Sequence, residues 1–295
     1  MKCTLCPREC GADRAAGERG YCGMGDDIRV ARVALHPFEE PCISGKHGSG
    51  TVFFVGCSLG CVFCQNRAIR TPEAGKSVSP ERLGELFLSL QQQGAHNINL
   101  VTATHFAHGV SKALQQVKKQ LTVPVVYNCG GYEKVDTLRL FEGLVDIYLP
   151  DFKYILSSMS AEYSAAPDYG EVATAALAEM YRQVGEATFD SDGMMRRGVM
   201  VRHLVLPGGR RDSVAVLDRI AATVPVEQIR LSLMRQYTPD FCPPDAPQVL
   251  QRRLTSFEYD TVAAHARTLG FTGYFQAKES VGADYTPDFT AETFS

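Results

Sequence analysis

Three cysteine residues gathered in one short loop are the part of this sequence best suited to chemistry. Cys57, Cys61 and Cys64 directly follow an apolar run, and Gly56 and Gly60 allow the backbone to curl around a bulky group. Cysteine thiolates are the usual ligands of iron–sulfur clusters and of structural zinc. A closed zinc site takes four ligands, whereas a cubane cluster held by three thiolates leaves one iron open. The count therefore favours a reaction centre over a structural staple.

The residues around these cysteines resemble the signature of the radical S-adenosylmethionine (SAM) enzymes. The spacing is Cys-x-x-x-Cys-x-x-Cys, and Phe63 precedes the last cysteine. The fuller run 48–66, led by Glu-Glu-Pro at 39–41, is similar to the pyruvate formate-lyase activating-enzyme-like branch. The resemblance implies a [4Fe-4S] cluster on the three cysteines, whose unique iron chelates the amino and carboxylate groups of SAM. One electron from the cluster then cleaves SAM to a 5′-deoxyadenosyl radical, which takes a hydrogen atom from a substrate.

The composition narrows the class of protein. Hydrophobic residues make up 45% of the chain and charged residues 21%, as in soluble globular proteins. A formal net charge of −3 does not indicate a nucleic-acid partner. We see no apolar run of the roughly 18 to 20 residues that span a bilayer, and no signal peptide. Ten cysteines without an export signal favour metal or redox chemistry in a reducing compartment, so we expect a cytoplasmic protein without a membrane partner.

A second cysteine group occupies the N-terminal segment 1–25. It consists of Cys3, Cys6, Cys10 and Cys22, among five glycines and with little periodicity. So short a segment cannot build its own core, and we expect a metal to hold it together. Zinc and an auxiliary iron–sulfur cluster both suit four thiolates, so the sequence predicts either of these two metals here. The activating enzymes that the chain resembles are not known for such a module.

From residue 51 the sequence alternates apolar strands with amphipathic helices. Six strands are predicted, at 51–55, 98–102, 123–128, 147–152, 200–206 and 229–234. Such repeats imply an α/β fold with a parallel sheet covered by helices. The resemblance implies an open, partial (β/α)6 barrel with the N-terminal cysteine-rich extension, and an open Rossmann-like sheet is the alternative. We expect a metal-binding module at 1–25, a linking segment at 26–50, the barrel at 51–280 and a tail at 281–295.

Local signals also predict where several helices begin. Ser79 followed by Pro80 is a typical helix start, and Thr255 with Glu258 has the spacing of a capping box. Asp212 is predicted to cap the helix that follows the fifth strand.

Polar residues follow the predicted strands at their carboxyl ends, where parallel α/β folds place their chemistry. They are Thr102, Thr104, His105, Asn128, Cys129, Asp151, Lys153 and Arg202. The SAM carboxylate suits Arg202 or Lys153, and its ammonium and ribose hydroxyl groups suit Thr102, Thr104 and Asn128. His105 is a candidate to bind adenine or move a proton, with a structural histidine as the alternative.

The resemblance extends to some of these strand ends. Asn128-Cys-Gly and Asp151-Phe-Lys are similar to segments of the activating enzymes in which an aspartate lies by SAM and helps to hold a cation. Where the family often carries Gly-Gly-Glu, this chain has the segment 102–105, Thr-Ala-Thr-His. The alternative for Asp151 and Lys153 is an ion pair at the strand end that contributes little to stability. We place Phe63 against the adenine region, and Cys129 is a candidate hydrogen-atom or proton donor, unless it is merely a packed small residue.

These observations predict a radical SAM enzyme of oxidoreductase type. One hypothesis is that it activates a glycyl radical enzyme, and the alternative is that it modifies a small molecule or a peptide. Flavodoxin or ferredoxin would serve as the electron donor. A non-catalytic zinc-binding interaction module is the remote alternative.

Overall fold

The computed structural model describes residues 2–277 and Phe289. Apart from Phe289, the predicted tail at 281–295 therefore lies outside the described residues. One sheet organises the described chain, and its strands follow in chain order: β1 (Ile28–His36), β2 (Ser49–Phe54), β3 (Lys76–Val78), β4 (Ile98–Val101), β5 (Val125–Cys129), β6 (Ile147–Pro150), β7 (Thr188–Phe189), β8 (Met195–Leu204), β9 (Arg230–Met234) and β10 (Gly273–Phe275).

The sheet is mainly parallel, and the order of its strands is β10-β9-β8-β6-β5-β4-β2-β1-β3, with β7 paired to β8. The strands from β10 to β2 in this order run parallel. At the other edge β1 pairs antiparallel with both β2 and β3. All six predicted strands are present, so the α/β prediction with a parallel, open barrel-like sheet is confirmed. Three-residue β10 escaped prediction because it is too short to show a pattern.

Helices alternate with most of the parallel strands. Their bounds are α1 (Pro41–Ser44), α2 (Pro80–Gln92), α3 (Ala107–Val117), α4 (Val135–Arg139), α5 (Ser157–Ser164), α6 (Tyr169–Val184), α7 (Arg210–Thr223) and α8 (Ser256–Thr268). In α2 the stripe of Leu83, Leu86, Phe87 and Leu90 is buried, as its spacing predicts.

Two of the predicted helix starts are confirmed and one is wrong. Ser79 accepts a hydrogen bond from the Arg82 amide, and Thr255 forms the capping box that begins α8. Helix α7, however, begins at Arg210, and Asp212 lies inside its first turn. Asp212 instead accepts hydrogen bonds from the backbone amides of Ile155 and Leu156, at 3.0 and 2.6 Å. Its carboxylate therefore orders the start of α5.

No helix in the described part of the chain combines the length and the apolar character that crossing a membrane requires.

Candidate functional site

A cavity lies at the carboxyl ends of the parallel strands. Its wall includes the cysteine loop, with Cys57, Cys61 and Cys64, together with strand-end residues: Thr102, Asn128, Cys129, Asp151, Lys153 and Arg202. An adjoining lobe adds Phe63 and Tyr237, whose rings meet edge to face at 6.3 Å. The fold thus brings most of the candidate residues to one space.

The three loop thiols are all free, and each has a place in the wall of this cavity. Cys57 Sγ accepts a 3.4 Å hydrogen bond from the Leu59 amide, and Cys61 Sγ accepts one of 3.0 Å from Ser164 Oγ. Burial, together with the neighbouring Cys57 and Cys61, raises the pKa of Cys64 to about 12. Binding to a metal would reverse this, because a coordinating thiol loses its proton. The chemistry of the donor set, three thiols in one cavity wall, therefore suits an iron–sulfur cluster, and the spacing of the thiols is not that of a single bound metal ion.

Gly56 and Gly60 have the backbone conformation that a tight curl of the loop requires, and their predicted contact with a bulky group stays a prediction. Both have positive φ, +89° and +70°. A Cβ at Gly56 would lie 2.7 Å from Met24 Cγ, and one at Gly60 would lie 2.6 Å from Arg70 Nη2. The contacts that exclude a side chain are thus with the N-terminal segment and with an arginine.

An ionic network lies in the floor of the cavity. Arg202 Nε donates to Asp151 Oδ1 at 2.9 Å, its Nη2 donates to Asn128 Oδ1 at 2.6 Å, and its Nη1 lies 3.3 Å from Glu39 Oε2. Lys153 Nζ donates to the other oxygen of Asp151 at 2.5 Å. Burial by itself would raise the pKa of Asp151, but Arg202 and Lys153 outweigh it and hold this pKa below its usual value. Two cations therefore face two carboxylates.

Glu39 is a member of this network that the sequence analysis did not assign. Its Oε1 accepts from Asn99 at 3.3 Å and from Asn128 at 3.2 Å. Burial raises the pKa of Glu39, although Arg202 opposes the shift. The available signal was the Glu-Glu-Pro run at 39–41, which contributed only to the family resemblance.

Thr102 has an unusual backbone at the end of β4. Its φ is +62°, which is a genuine outlier for a β-branched residue. Its amide donates to the carbonyl of Asn128 at 2.8 Å, and the residue lines the cavity. Such outliers cluster at functional sites. This one occurs where the resembled family carries Gly-Gly-Glu.

Thr104 and His105 do not line the cavity with the other candidates. Thr104 is buried and its hydroxyl donates to Glu133 Oε2 at 2.5 Å. His105 is 1% exposed, and its Nε2 lies 2.6 Å from the Val55 carbonyl oxygen, to which it donates. Burial lowers the pKa of His105 to about 4, so the ring is neutral. Their predicted contacts with SAM stay predictions.

Cys129 lies beside an acidic residue that the sequence analysis missed. Both Cys129 and Glu133 are almost fully buried and line the cavity. The Cys129 thiol and the Thr104 hydroxyl donate hydrogen bonds to the Glu133 carboxyl group. Burial nevertheless raises the pKa of Glu133 to about 8. A carboxyl group that shares protons with a thiol at the cavity wall can accept or release a proton near neutral pH.

Two of the N-terminal cysteines, Cys10 and Cys22, lie against Gly20. A Cβ at Gly20 would lie 3.2 Å from Cys10 Sγ and 3.5 Å from Cys22 Sγ, and Cys3 hydrogen-bonds to Cys10. Arg14 Nη2 donates to Cys22 Sγ at 3.0 Å. Within the described residues, no group of three or more His, Cys, Asp or Glu side chains is arranged to hold a metal ion. The metal roles assigned to both cysteine groups stay predictions, including that of the buried Cys6.

Arg8 ties the N-terminal segment to the cysteine loop. Its guanidinium donates 2.8 Å hydrogen bonds to the carbonyls of Ser58 and Ser164, and it also contacts the carbonyl of Ala165. It packs over the rings of Tyr21 and Tyr132, at 4.1 and 5.1 Å. One side chain therefore joins three separate segments of the chain.

Residues 51–155 match the family model described as the Radical SAM superfamily. This segment is a radical SAM domain. It contains the cysteine loop and the carboxyl ends of β2, β4, β5 and β6, whereas Arg202 on β8 lies beyond it. The match is to the superfamily and does not identify an activating-enzyme branch.

The chain is also similar to two other proteins over stretches longer than this domain. The chain is 26% identical over 268 residues to an uncharacterized protein of Methanocaldococcus jannaschii, covering 88% of this chain and 72% of the relative. Among solved structures it is similar to methylornithine synthase, with 14% identity and a TM-score of 0.47 over 74% of this chain. The alignment spans only 60% of that synthase chain. Neither similarity identifies a substrate.

Proposed function

We propose that this chain is a radical SAM enzyme. Cys57, Cys61 and Cys64 would hold the [4Fe-4S] cluster, and SAM would lie across the strand ends. When bound, these groups supply one-electron cleavage of SAM and a 5′-deoxyadenosyl radical that abstracts a hydrogen atom. The observation that supports the proposal best is the shared cavity, where the thiols of the radical SAM domain meet the polar ends of the neighbouring strands.

Within this proposal Lys153 is the better partner for the SAM carboxylate. Arg202 already donates to protein acceptors through its Nε and Nη2 atoms and lies near Glu39 through Nη1. The ammonium group of Lys153 has three donors, and among the described residues only the bond to Asp151 uses one of them. Arg202 would then orient Asp151 and Asn128, while Phe63 excludes water from the adenine region. Thr102 would offer backbone groups to the SAM ammonium.

The substrate has two candidate classes. Activation of a glycyl radical enzyme is supported by the sequence resemblance alone. Modification of a small molecule or peptide is supported by the N-terminal cysteine segment, which the resembled activating enzymes lack and which Arg8 joins to the cysteine loop. In both cases a one-electron donor such as flavodoxin or ferredoxin would reduce the cluster. We propose a second metal, zinc or iron–sulfur, on Cys3, Cys6, Cys10 and Cys22.

Anaerobic reconstitution with iron and sulfide tests the proposal. The protein should turn brown, absorb broadly near about 400 nm as iron–sulfur proteins do, and form 5′-deoxyadenosine from SAM with a reductant. Cys61→Ala should abolish this product, whereas Cys242→Ala should keep it, because Cys242 lies outside both cysteine groups. Colourless protein that contains only zinc would refute the enzyme and favour the interaction module.

A Cys6→Ala variant separates two roles of the N-terminal segment. If its metal is only structural, the reconstituted variant should still form 5′-deoxyadenosine with dithionite. Loss of product in a variant that retains the loop cluster would make the segment part of the electron path.

A further inference from the structure

Cys61 receives a hydrogen bond from outside its own loop. Ser164, the last residue of α5, places its Oγ 3.0 Å from Cys61 Sγ across 103 residues of sequence. Ser164 is 2% exposed, and its Oγ also lies 3.1 Å from the hydroxyl of the fully buried Tyr154. Two hydroxyl groups thus form a water-shielded chain that ends at the sulfur.

The sulfur at the end of this chain of hydroxyl groups determines which hydroxyl group donates each hydrogen bond. A thiolate can only accept hydrogen bonds, and Ser164 Oγ donates its single proton to the Cys61 sulfur. Tyr154 then donates to Ser164 Oγ, which completes the chain. A helical serine often binds the carbonyl one turn earlier. Here the Ser160 carbonyl accepts from the Ala166 amide at 3.1 Å instead.

The position of Ser164 is fixed by three further contacts. The Val62 amide donates to the Tyr163 carbonyl at 2.9 Å, which joins the end of α5 to the cysteine loop. Arg8 donates to the carbonyls of Ser164 and Ala165. Ala165 ends the helix with a φ of +48°, which turns the chain away at once. The hydroxyl is therefore held at the sulfur by backbone contacts on either side of it.

We propose that Ser164 is a positioning residue that raises the reduction potential of the cluster through its hydrogen bond to Cys61. The inference rests on the proposed function, because it requires a cluster on the loop cysteines. Reduction adds negative charge to the cluster and its thiolates, and a buried donor to a ligand sulfur stabilises that charge. The cluster is thereby easier to reduce for the same electron donor. Cys57, by comparison, accepts hydrogen bonds from the Leu59 and Gly60 amides of its own loop.

The test is an anaerobic redox titration of the reconstituted protein, followed by electron paramagnetic resonance of the reduced cluster. Ser164→Ala should lower the midpoint potential, so that the reduced-to-oxidised ratio at a fixed poise falls roughly tenfold, or 59 mV for one electron. Ser164→Thr keeps the hydroxyl and should restore most of the shift. Tyr154→Phe should give a smaller shift in the same direction.

Ser160→Ala is the matched control. Ser160 is a buried serine of the same helix, but within the part of the chain that the structure describes its hydroxyl binds only the Ser157 carbonyl. Its removal should leave the potential unchanged. An unaltered potential in Ser164→Ala that holds a full cluster would overturn the inference and leave the enzyme proposal intact. If Ser164→Ala cannot hold the cluster, an unaltered potential in Tyr154→Phe overturns it. Failure of the wild-type protein to assemble any cluster would remove both proposals.

Discussion

Replacing Glu133 by glutamine should change how the stability of the protein depends on pH. In the folded protein burial raises the pKa of Glu133 from its usual 4.5 to about 8. The folded state therefore holds the proton more tightly than the unfolded chain. This contribution to stability is complete below about pH 4.5 and is lost as the pH rises through about 8. Wild-type stability should fall across that window.

The size of this effect follows from the same shift. A difference of about 3.5 pKa units, at 1.36 kcal/mol per unit, is worth about 5 kcal/mol. It is an upper bound, because water that enters the cavity would solvate the ionised carboxylate. Glu133→Gln keeps the shape and can still accept from Thr104, yet it carries no titrating proton. Its free energy of unfolding should therefore lack this fall.

Urea unfolding of reconstituted protein at several pH values between about 5 and 8 measures the difference. Wild type should lose stability relative to Glu133→Gln as the pH rises. Glu171→Gln on the exposed surface of α6 is the control, and its pH dependence should match that of wild type. Parallel pH profiles for wild type and Glu133→Gln would refute the assignment of a protonated carboxyl group in the cavity wall.

Two further predictions concern contacts that hold the cysteine loop. Arg8→Ala should expose the N-terminal segment to limited proteolysis and lower the free energy of unfolding by roughly 2 to 4 kcal/mol, because it leaves buried carbonyl groups without a donor. The control is Arg19→Ala, which removes an exposed 3.9 Å ion pair and should change neither measurement. Equal cleavage rates would contradict the joining role of Arg8. Gly60→Ala should destabilise the protein more than Gly143→Ala, by roughly 1 to 3 kcal/mol, since both have positive φ but only Gly60 meets a neighbour, at 2.6 Å. Equal urea midpoints for these two variants would show that Arg70 moves aside without cost.

The cysteine loop and the strand ends could be predicted because their signals are local. Buried parallel strands are continuous apolar runs, and the polar residues that end them stand out. Once the strands are parallel, their carboxyl ends must lie on one side. That reasoning correctly brought Asn128, Asp151 and Arg202 into one cavity.

The residues that were missed come from segments without such periodicity. Glu39 reaches Arg202 across 163 residues, and Arg8 reaches Ser164 across 156. No local pattern records which distant carbonyl or guanidinium a side chain will meet. The error at Asp212 has the same origin, since its carboxylate serves amides 56 and 57 residues away rather than its own helix.

The N-terminal segment packs directly against the start of the cysteine loop. Gly56 has no room for a side chain because Met24 and the carbonyl of Cys22 lie against it. His105, which we expected near SAM, instead binds the Val55 carbonyl through its ring, while its own carbonyl accepts from Arg14. The base of the cysteine loop is therefore held by the segment that carries the second cysteine group. Any change that disorders this segment should also loosen the loop thiols.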